Sequence, residues 1–152
     1  MNAIQARNRL KEIWSQLRHI WPWDRQYVEL TPEMLQAMSD KIRHAKIVFA
    51  DDEEIVFGDL YNLGDFWDCD DFACGAEFLM KLLHKIHSEK EGSERLPIAY
   101  GQARGSQFRG RPGLHALNIA LTTDGVWFND HDDGGRTWKA DSENDSIFYA
   151  SL

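Results

Sequence analysis

The sequence predicts an α+β fold in which amino-terminal helices and a central cysteine-bearing helix pack on an antiparallel β-sheet. Apolar residues recur at three- and four-residue spacing through much of 3–44 and again after Cys69, which is typical of amphipathic helices. From residue 96 onwards the pattern changes to short strand-like runs separated by turn residues. Helices followed by a run of strands indicate an α+β domain.

The chain has 152 residues, of which 43% are hydrophobic. That size is enough for one domain to bury a core. We see no internal repeat and no low-complexity linker. We therefore expect a single domain over 1–152, with a helical amino-terminal part (1–44) and a core of catalytic type (45–152).

Charge and cysteine content exclude several classes. A net charge of −8 disfavours binding to nucleic-acid phosphates, which requires a basic surface. No apolar run approaches the roughly 18 residues of a membrane span, and the amino terminus lacks the pattern of a signal peptide. Cys69 and Cys74 lie five apart in one predicted helix, so their side chains diverge and cannot form an ordinary disulfide. These features predict a cytoplasmic protein with no membrane and no nucleic-acid partner.

The amino-terminal region predicts two helices. Apolar spacing extends the first over 3–20, before Pro22, and the large aromatics Trp21 and Trp23 are expected to anchor the core. The second helix starts at Thr31-Pro32-Glu33, which combines a capping hydroxyl, a first-turn proline and an acid. It is expected to end near residue 44.

The middle of the chain leads to the cysteine helix. A short strand is predicted at 46–49 and extended or irregular structure at 54–61. The helix begins at Cys69 and is expected to run to about His87. Apolar residues surround much of its circumference, which predicts a largely buried helix.

The last third predicts the sheet. Candidate strands are 96–100, 115–121, 126–129, 136–139 and 147–150. Asp124-Gly125 is the signature of a tight hairpin turn. The glycine- and arginine-rich segment 101–113 has two interpretations: a mobile lid that recognises an acidic substrate, or a plain flexible loop.

The chemistry centres on Cys69 and His115. The first turn of a helix supplies unpaired N–H groups and the positive end of the helix dipole, which lower a thiol pKa. His115 begins a strand 46 residues later. A thiol and an imidazole are the nucleophile and base of cysteine-dependent acyl transfer.

A third polar group must orient the imidazole. It is expected on the second strand of the hairpin, where Asn129, Asp130 and His131 follow one another. We favour Asp130 because a carboxylate best stabilises an imidazolium. Strand alternation separates Asp130 from the other two, but the face of His115 depends on the turn. Asn129 and His131 remain alternatives.

The strings DCDDFA, at 68–73, and HALNIAL, at 115–121, together with their spacing, resemble papain-like and transglutaminase-like cysteine enzymes. They look most like the cysteine-protease domain of a fairy-ring mushroom chimerolectin and its bacterial and phage relatives. The resemblance covers roughly residues 45–135. It implies a papain-like core, amide-bond hydrolysis and, as in the lectin, calcium dependence.

Carried over, the resemblance makes Cys69 the nucleophile, His115 the base and Asp130 the orienting acid. The lectin has a glutamate at the third position, so this chain departs from the pattern by one methylene. We see no lectin-type repeat, so carbohydrate binding is not carried over.

Four aspartates near Cys69 oppose its ionisation, because nearby anions raise a thiol pKa. They are Asp65, Asp68, Asp70 and Asp71. Either they point away, with two of them serving the helix amino terminus, or they bind a hard cation such as Ca²⁺. The sequence itself requires no cofactor. Asn62 and the Trp67 indole are candidate side-chain donors for an oxyanion hole, beside the Cys69 N–H.

The sequence thus predicts a cysteine peptidase or amidase that acts on a peptide or isopeptide bond of a peptide or protein substrate. Because a thioester can also be resolved by an amine, acyl transfer is a related outcome. Two alternatives remain: a catalytically silent papain-like module for binding or assembly, and an acidic inhibitor of a basic partner. The sequence predicts no oligomeric state.

Overall fold

A computed structural model describes residues 1–91 and 96–152, except the side chains of residues 63–66, 90 and 91. Its helices are α1 (Ala3–Ile13), α2 (Pro32–Arg43) and α3 (Cys69–Glu91), and a 3₁₀ helix spans Phe57–Phe66. Its strands are β1 (His19–Trp21), β2 (Lys46–Val48), β3 (Glu54–Val56), β4 (Tyr100–Phe108), β5 (Arg111–Thr122), β6 (Gly125–Asp130), β7 (Arg136–Lys139) and β8 (Ser146–Ser151). The α+β prediction is confirmed.

Six strands form one sheet in the order β1-β8-β4-β5-β6-β7. All neighbours are antiparallel except β1 and β8, which are parallel. The short β2 and β3 pair separately. On β5, Ile119 faces a core shared with Leu10 of α1, whereas Ala120 faces a core shared with Leu35 of α2 and Met80 of α3. The sheet therefore has α1 on one face and α2 and α3 on the other.

The predicted helix over 3–20 is wrong in its second half, where α1 ends and β1 follows. Ile20 pairs with Ala150, and both are buried in one core cluster. Pairing with β8 satisfies the backbone groups of β1, and this long-range interaction overrides the helical spacing. Trp21 and Trp23 are not core anchors, because they are 52% and 71% exposed.

The predicted loop at 101–113 is also wrong, because it forms the β4–β5 hairpin. Arg109 and Gly110 make its turn with φ of 51° and 72°, the left-handed pair of a two-residue hairpin. A Cβ on Gly101 would lie 2.1 Å from the Ser151 carbonyl oxygen of β8. Glycine is thus required for the strands to meet, and its lack of a side chain hides the strand pattern. The predicted strand at 96–100 begins only at Tyr100.

Helix α3 runs slightly beyond its predicted end, but it is not buried all round. Phe78, Leu82 and Ile86 are 66%, 40% and 41% exposed, whereas Phe72, Ala76 and Met80 face the sheet. The prediction of a largely buried helix is therefore wrong. Within the described ranges, none of the helices is both long and apolar enough to cross a lipid bilayer.

Candidate active site

Cys69 is the first residue of α3, and the side chains of Asp68 and Asp71 cap this helix. The Asp68 carboxylate accepts hydrogen bonds from the Asp70 and Asp71 N–H groups at 3.0 and 3.4 Å. In return, Asp71 accepts from the Asp68 N–H at 3.2 Å. This reciprocal capping satisfies N–H groups that a helix start leaves unpaired. It also fixes the position of the cysteine.

His115 and Asp130 are in direct contact. The His115 Nε2–H donates to Asp130 Oδ2 at 2.8 Å, which leaves Nδ1 as the nitrogen free for another partner. The other carboxylate oxygen of Asp130 accepts from the Asp132 and Asp133 N–H groups at 3.1 and 3.3 Å. The turn after β6 therefore orients the Asp130 carboxylate, and this carboxylate in turn orients the His115 imidazole.

The thiol of Cys69 lies beside the residue that follows His115. Its sulfur is hydrogen-bonded by the backbone of Ala116, and the Asp132 charge acts on both Cys69 and His115. Among the described residues, no hydrogen bond joins the thiol to the imidazole. Catalytic hydrogen bonds are often long in an enzyme without substrate and tighten only in the complex. The thiol therefore lies next to the backbone of the residue that follows His115.

The pKa values of the two central groups are shifted upward. Burial raises the pKa of the Cys69 thiol, and the charges of Asp70, Asp68 and Asp132 raise it further, against the Ala116 hydrogen bond that lowers it. The hydrogen bond that His115 donates to Asp130 raises the His115 pKa, although partial burial lowers it. Before substrate binds, the thiol form of Cys69 is therefore favoured.

We expect the Asp132→Asn substitution to make Cys69 more reactive. It removes a negative charge that disfavours the thiolate, so alkylation by iodoacetamide at pH 7.5 should be on the order of threefold faster. The measurement is the alkylation rate by mass spectrometry in a Cys74→Ser background. Asp133→Asn is the control, because Asp133 is paired with Arg109 and Arg136. Equal alkylation rates for the Cys74→Ser chain with and without Asp132→Asn would contradict this expectation.

Asn129 and His131, the alternatives to Asp130, do not contact His115. Asn129 is fully buried and its Oδ1 accepts from the Tyr100 hydroxyl at 2.7 Å. The same oxygen is bonded to His131 Nε2 at 2.8 Å, and the Asn129 amide donates to Ser39 Oγ and the Gly135 carbonyl. This network binds α2 to the turn after β6. Both residues are structural, and only Asp130 is placed to orient His115.

The two oxyanion candidates differ in their surroundings. The Trp67 Nε1–H is buried and has no hydrogen-bond partner, and its ring packs edge-on against Phe72 of α3 at 5.9 Å. Asn62 is exposed and lies in a different cavity with His131. Trp67 therefore retains an unsatisfied donor close to the cysteine helix, whereas Asn62 lies across the turn after β6.

The acidic residues near Cys69 are already engaged in other contacts. Asp68 and Asp71 cap α3, and Asp70 lies 3.6 Å from the Arg104 guanidinium. The side chain of Asp65 lies outside the described residues. In the part of the chain that is described, no three or more histidine, cysteine or acidic side chains form a group suited to a metal ion. Calcium dependence stays a prediction.

Two residues that build the site were not predicted from the sequence. Asn118 is fully buried, and its amide donates to the Ala73 carbonyl of α3 and the Gly101 carbonyl of β4. It ties the cysteine helix to the histidine strand. A lone amide within an apolar strand was the available signal. Asp132, which acts on both Cys69 and His115, carries no such signal.

Two cavities flank the site and share Asp132 and Asp133 as a common wall. The first, the histidine cavity, has a volume of about 350 Å³ and is lined by His115 and Asp130. The second, the turn cavity, has about 800 Å³ and lies over the Gly134–Gly135 turn.

No protein-family model matches this sequence, and no curated protein matches it. Among solved structures, the chain is similar to one described as "PSL1a-E64 complex", with a TM-score of 0.64 and 16% identity. The match covers all of this chain and 50% of the other, so this chain spans about half the length of that one. At this identity the similarity shows a shared fold and no more.

Proposed function

We propose that this protein is a cysteine hydrolase that cleaves a peptide or isopeptide bond, with Cys69 as nucleophile, His115 as base and Asp130 as orienting acid. The observation that carries the proposal is the 2.8 Å hydrogen bond from His115 to Asp130. The Cys69 thiol lies beside the backbone of Ala116, the residue after His115. The resemblance at 68–73 and 115–121 to papain-like cysteine proteases also supports it.

In the proposed reaction, the Cys69 sulfur forms a bond to the substrate carbonyl carbon while its proton passes to His115 Nδ1. The C–N bond then breaks, and His115 gives that proton to the leaving amine. Water hydrolyses the resulting thioester. The Cys69 N–H and the Trp67 indole are the proposed donors to the oxyanion. Because Cys69 favours the thiol form at rest, His115 acts as a general base during attack.

A test that needs no natural substrate uses 4-nitrophenyl acetate. In a Cys74→Ser chain, we expect one acetyl group on Cys69, detected by mass spectrometry after rapid acid quench, and release of 4-nitrophenolate. Cys69→Ala should show neither. Preincubation with E64, which forms the complex with PSL1a in the similar structure, should protect Cys69 from acetylation.

The second candidate function is a catalytically silent module of the same fold. The raised pKa of Cys69 favours this alternative. Its expected result is a chain whose Cys69 acquires no acetyl group and which releases no more 4-nitrophenolate than Cys69→Ala. That result would exclude the hydrolase.

A further inference from the structure

The turn cavity brings together two side chains of opposite charge that do not pair. Arg43 and Asp59 both line it. Within the described residues, neither side chain has a hydrogen bond or ion pair. Opposite charges at the same cavity normally form a pair when they can reach one another. Here each keeps its charge available to a ligand.

Glycines create this arrangement. A Cβ on Gly58 would lie 2.8 Å from the Arg43 carbonyl oxygen, so glycine lets the 3₁₀ helix carry Asp59 against the end of α2. A Cβ on Gly135 would lie 2.6 Å from Arg43 Cδ, and one on Gly134 would lie 3.9 Å from Arg43 Cζ. The Arg43 side chain therefore runs across a turn without side chains, beside an open cavity.

Two other titratable residues of the cavity, Asp133 and His131, contribute little free charge. Asp133 is paired with Arg136 at 3.3 Å. His131 is 6% exposed, and burial lowers its pKa to about 4, so the ring is neutral. Its Nε2 bonds Asn129, while its buried Nδ1 has no partner. Among the described residues that line it, the cavity thus offers one cation without an ion pair in Arg43, two carboxylates without an ion pair in Asp59 and Asp132, and a buried acceptor.

We propose that the turn cavity binds the part of the substrate that carries both a free amino and a free carboxylate group, with Arg43 holding the carboxylate and Asp59 the ammonium. A guanidinium suits a carboxylate because its N–H groups match both oxygens. The shared wall of Asp132 and Asp133 places this pocket next to His115 and Asp130. Its role as a substrate pocket depends on the proposed hydrolase function, but the binding itself does not.

The test uses the full chain with Cys69→Ala, so that it is independent of catalysis. Four probes share one side chain and carry both charges, one charge or neither: norleucine, norleucine methyl ester, N-acetylnorleucine and N-acetylnorleucine methyl ester. Binding at pH 7.5 is followed by ¹H–¹⁵N shifts of glycine amides, including Gly58, Gly134 and Gly135. We expect norleucine to bind about tenfold more tightly than either singly blocked compound, the effect of one charge-assisted hydrogen bond.

The variants assign each charge. Arg43→Gln should abolish the preference for norleucine over its methyl ester, and Asp59→Asn the preference over N-acetylnorleucine. Arg25→Gln and Glu12→Gln are controls with the same charge changes outside the cavity. The proposal is overturned if no probe shifts these amides, if only one of the two charges matters, or if both preferences survive the two variants. Acetylation of Cys69 by 4-nitrophenyl acetate tests the hydrolase separately.

Discussion

Replacing His115 with alanine is expected to slow acetylation of Cys69 by about 10²- to 10⁴-fold, the usual contribution of a general base. The reason is that the pKa of Cys69 is raised by burial and nearby carboxylates, so the attacking thiolate must be generated by proton transfer. The measurement is the initial rate of 4-nitrophenolate release in a Cys74→Ser background at pH 7.5.

His19→Ala is the matched control, because His19 is an exposed histidine. It lies on β1, an edge strand that two strands separate from β5 in the sheet. Its rate should equal that of the parent chain. The rate of Asp130→Asn should lie between those of His115→Ala and the parent chain. This substitution keeps the shape of the side chain but removes the charge that favours an imidazolium. A His115→Ala rate within twofold of the parent would refute the role of His115 as base.

The second large effect concerns stability in acid. His131 is neutral in the folded protein with a pKa of about 4, compared with a usual value of 6.5. Below pH 6.5 the unfolded chain binds a proton that the folded chain excludes, so stability falls as pH is lowered towards 4. The accumulated loss is about 3 kcal/mol. We expect urea unfolding between pH 7.5 and pH 4.5 to show it.

The His131→Gln substitution isolates this effect. It should destabilise the protein at pH 7.5, because the network with Asn129 is disturbed, but the acid loss should be smaller than in wild type. His115→Gln should behave in the opposite way. The His115 pKa is raised by Asp130, so its stabilisation is present in acid and disappears as pH rises through the folded pKa. Equal pH slopes for His131→Gln and wild type would contradict the assignment.

The residues of the site were predictable to different degrees. Cys69 and His115 stood out because a helix start and a strand are local patterns. Cys69 begins α3 as predicted, and His115 lies on β5, which begins earlier than predicted, at Arg111. Asp130 was one of three neighbours, and alternation alone could not select it. The β5–β6 register, in which Asn118 pairs with Asn129, made the selection. Trp67 was proposed from position alone, and its unsatisfied indole keeps that proposal open to test.

Other parts of the site depend on residues that are distant in sequence. Asn118 joins α3 to β4, and Arg43 and Asp59 line the same cavity because glycines allow close backbone approach. Neither arrangement produces a periodic pattern in the sequence from which it could be predicted. The same is true of the burial of His131, which the sequence indicated only as an alternative to Asp130.

The sequence by itself determined the α+β class, the start of α2 and α3, the Asp124-Gly125 hairpin and the residue types of the Cys69–His115 site. These depend on local spacing, capping and turn preferences, which act over a few residues. Only the tertiary structure decided that β1 joins the sheet, that 101–113 is a hairpin, which face of α3 is buried and which polar residue meets His115. Those outcomes depend on pairing and packing between distant segments, whose free energies exceed local propensity.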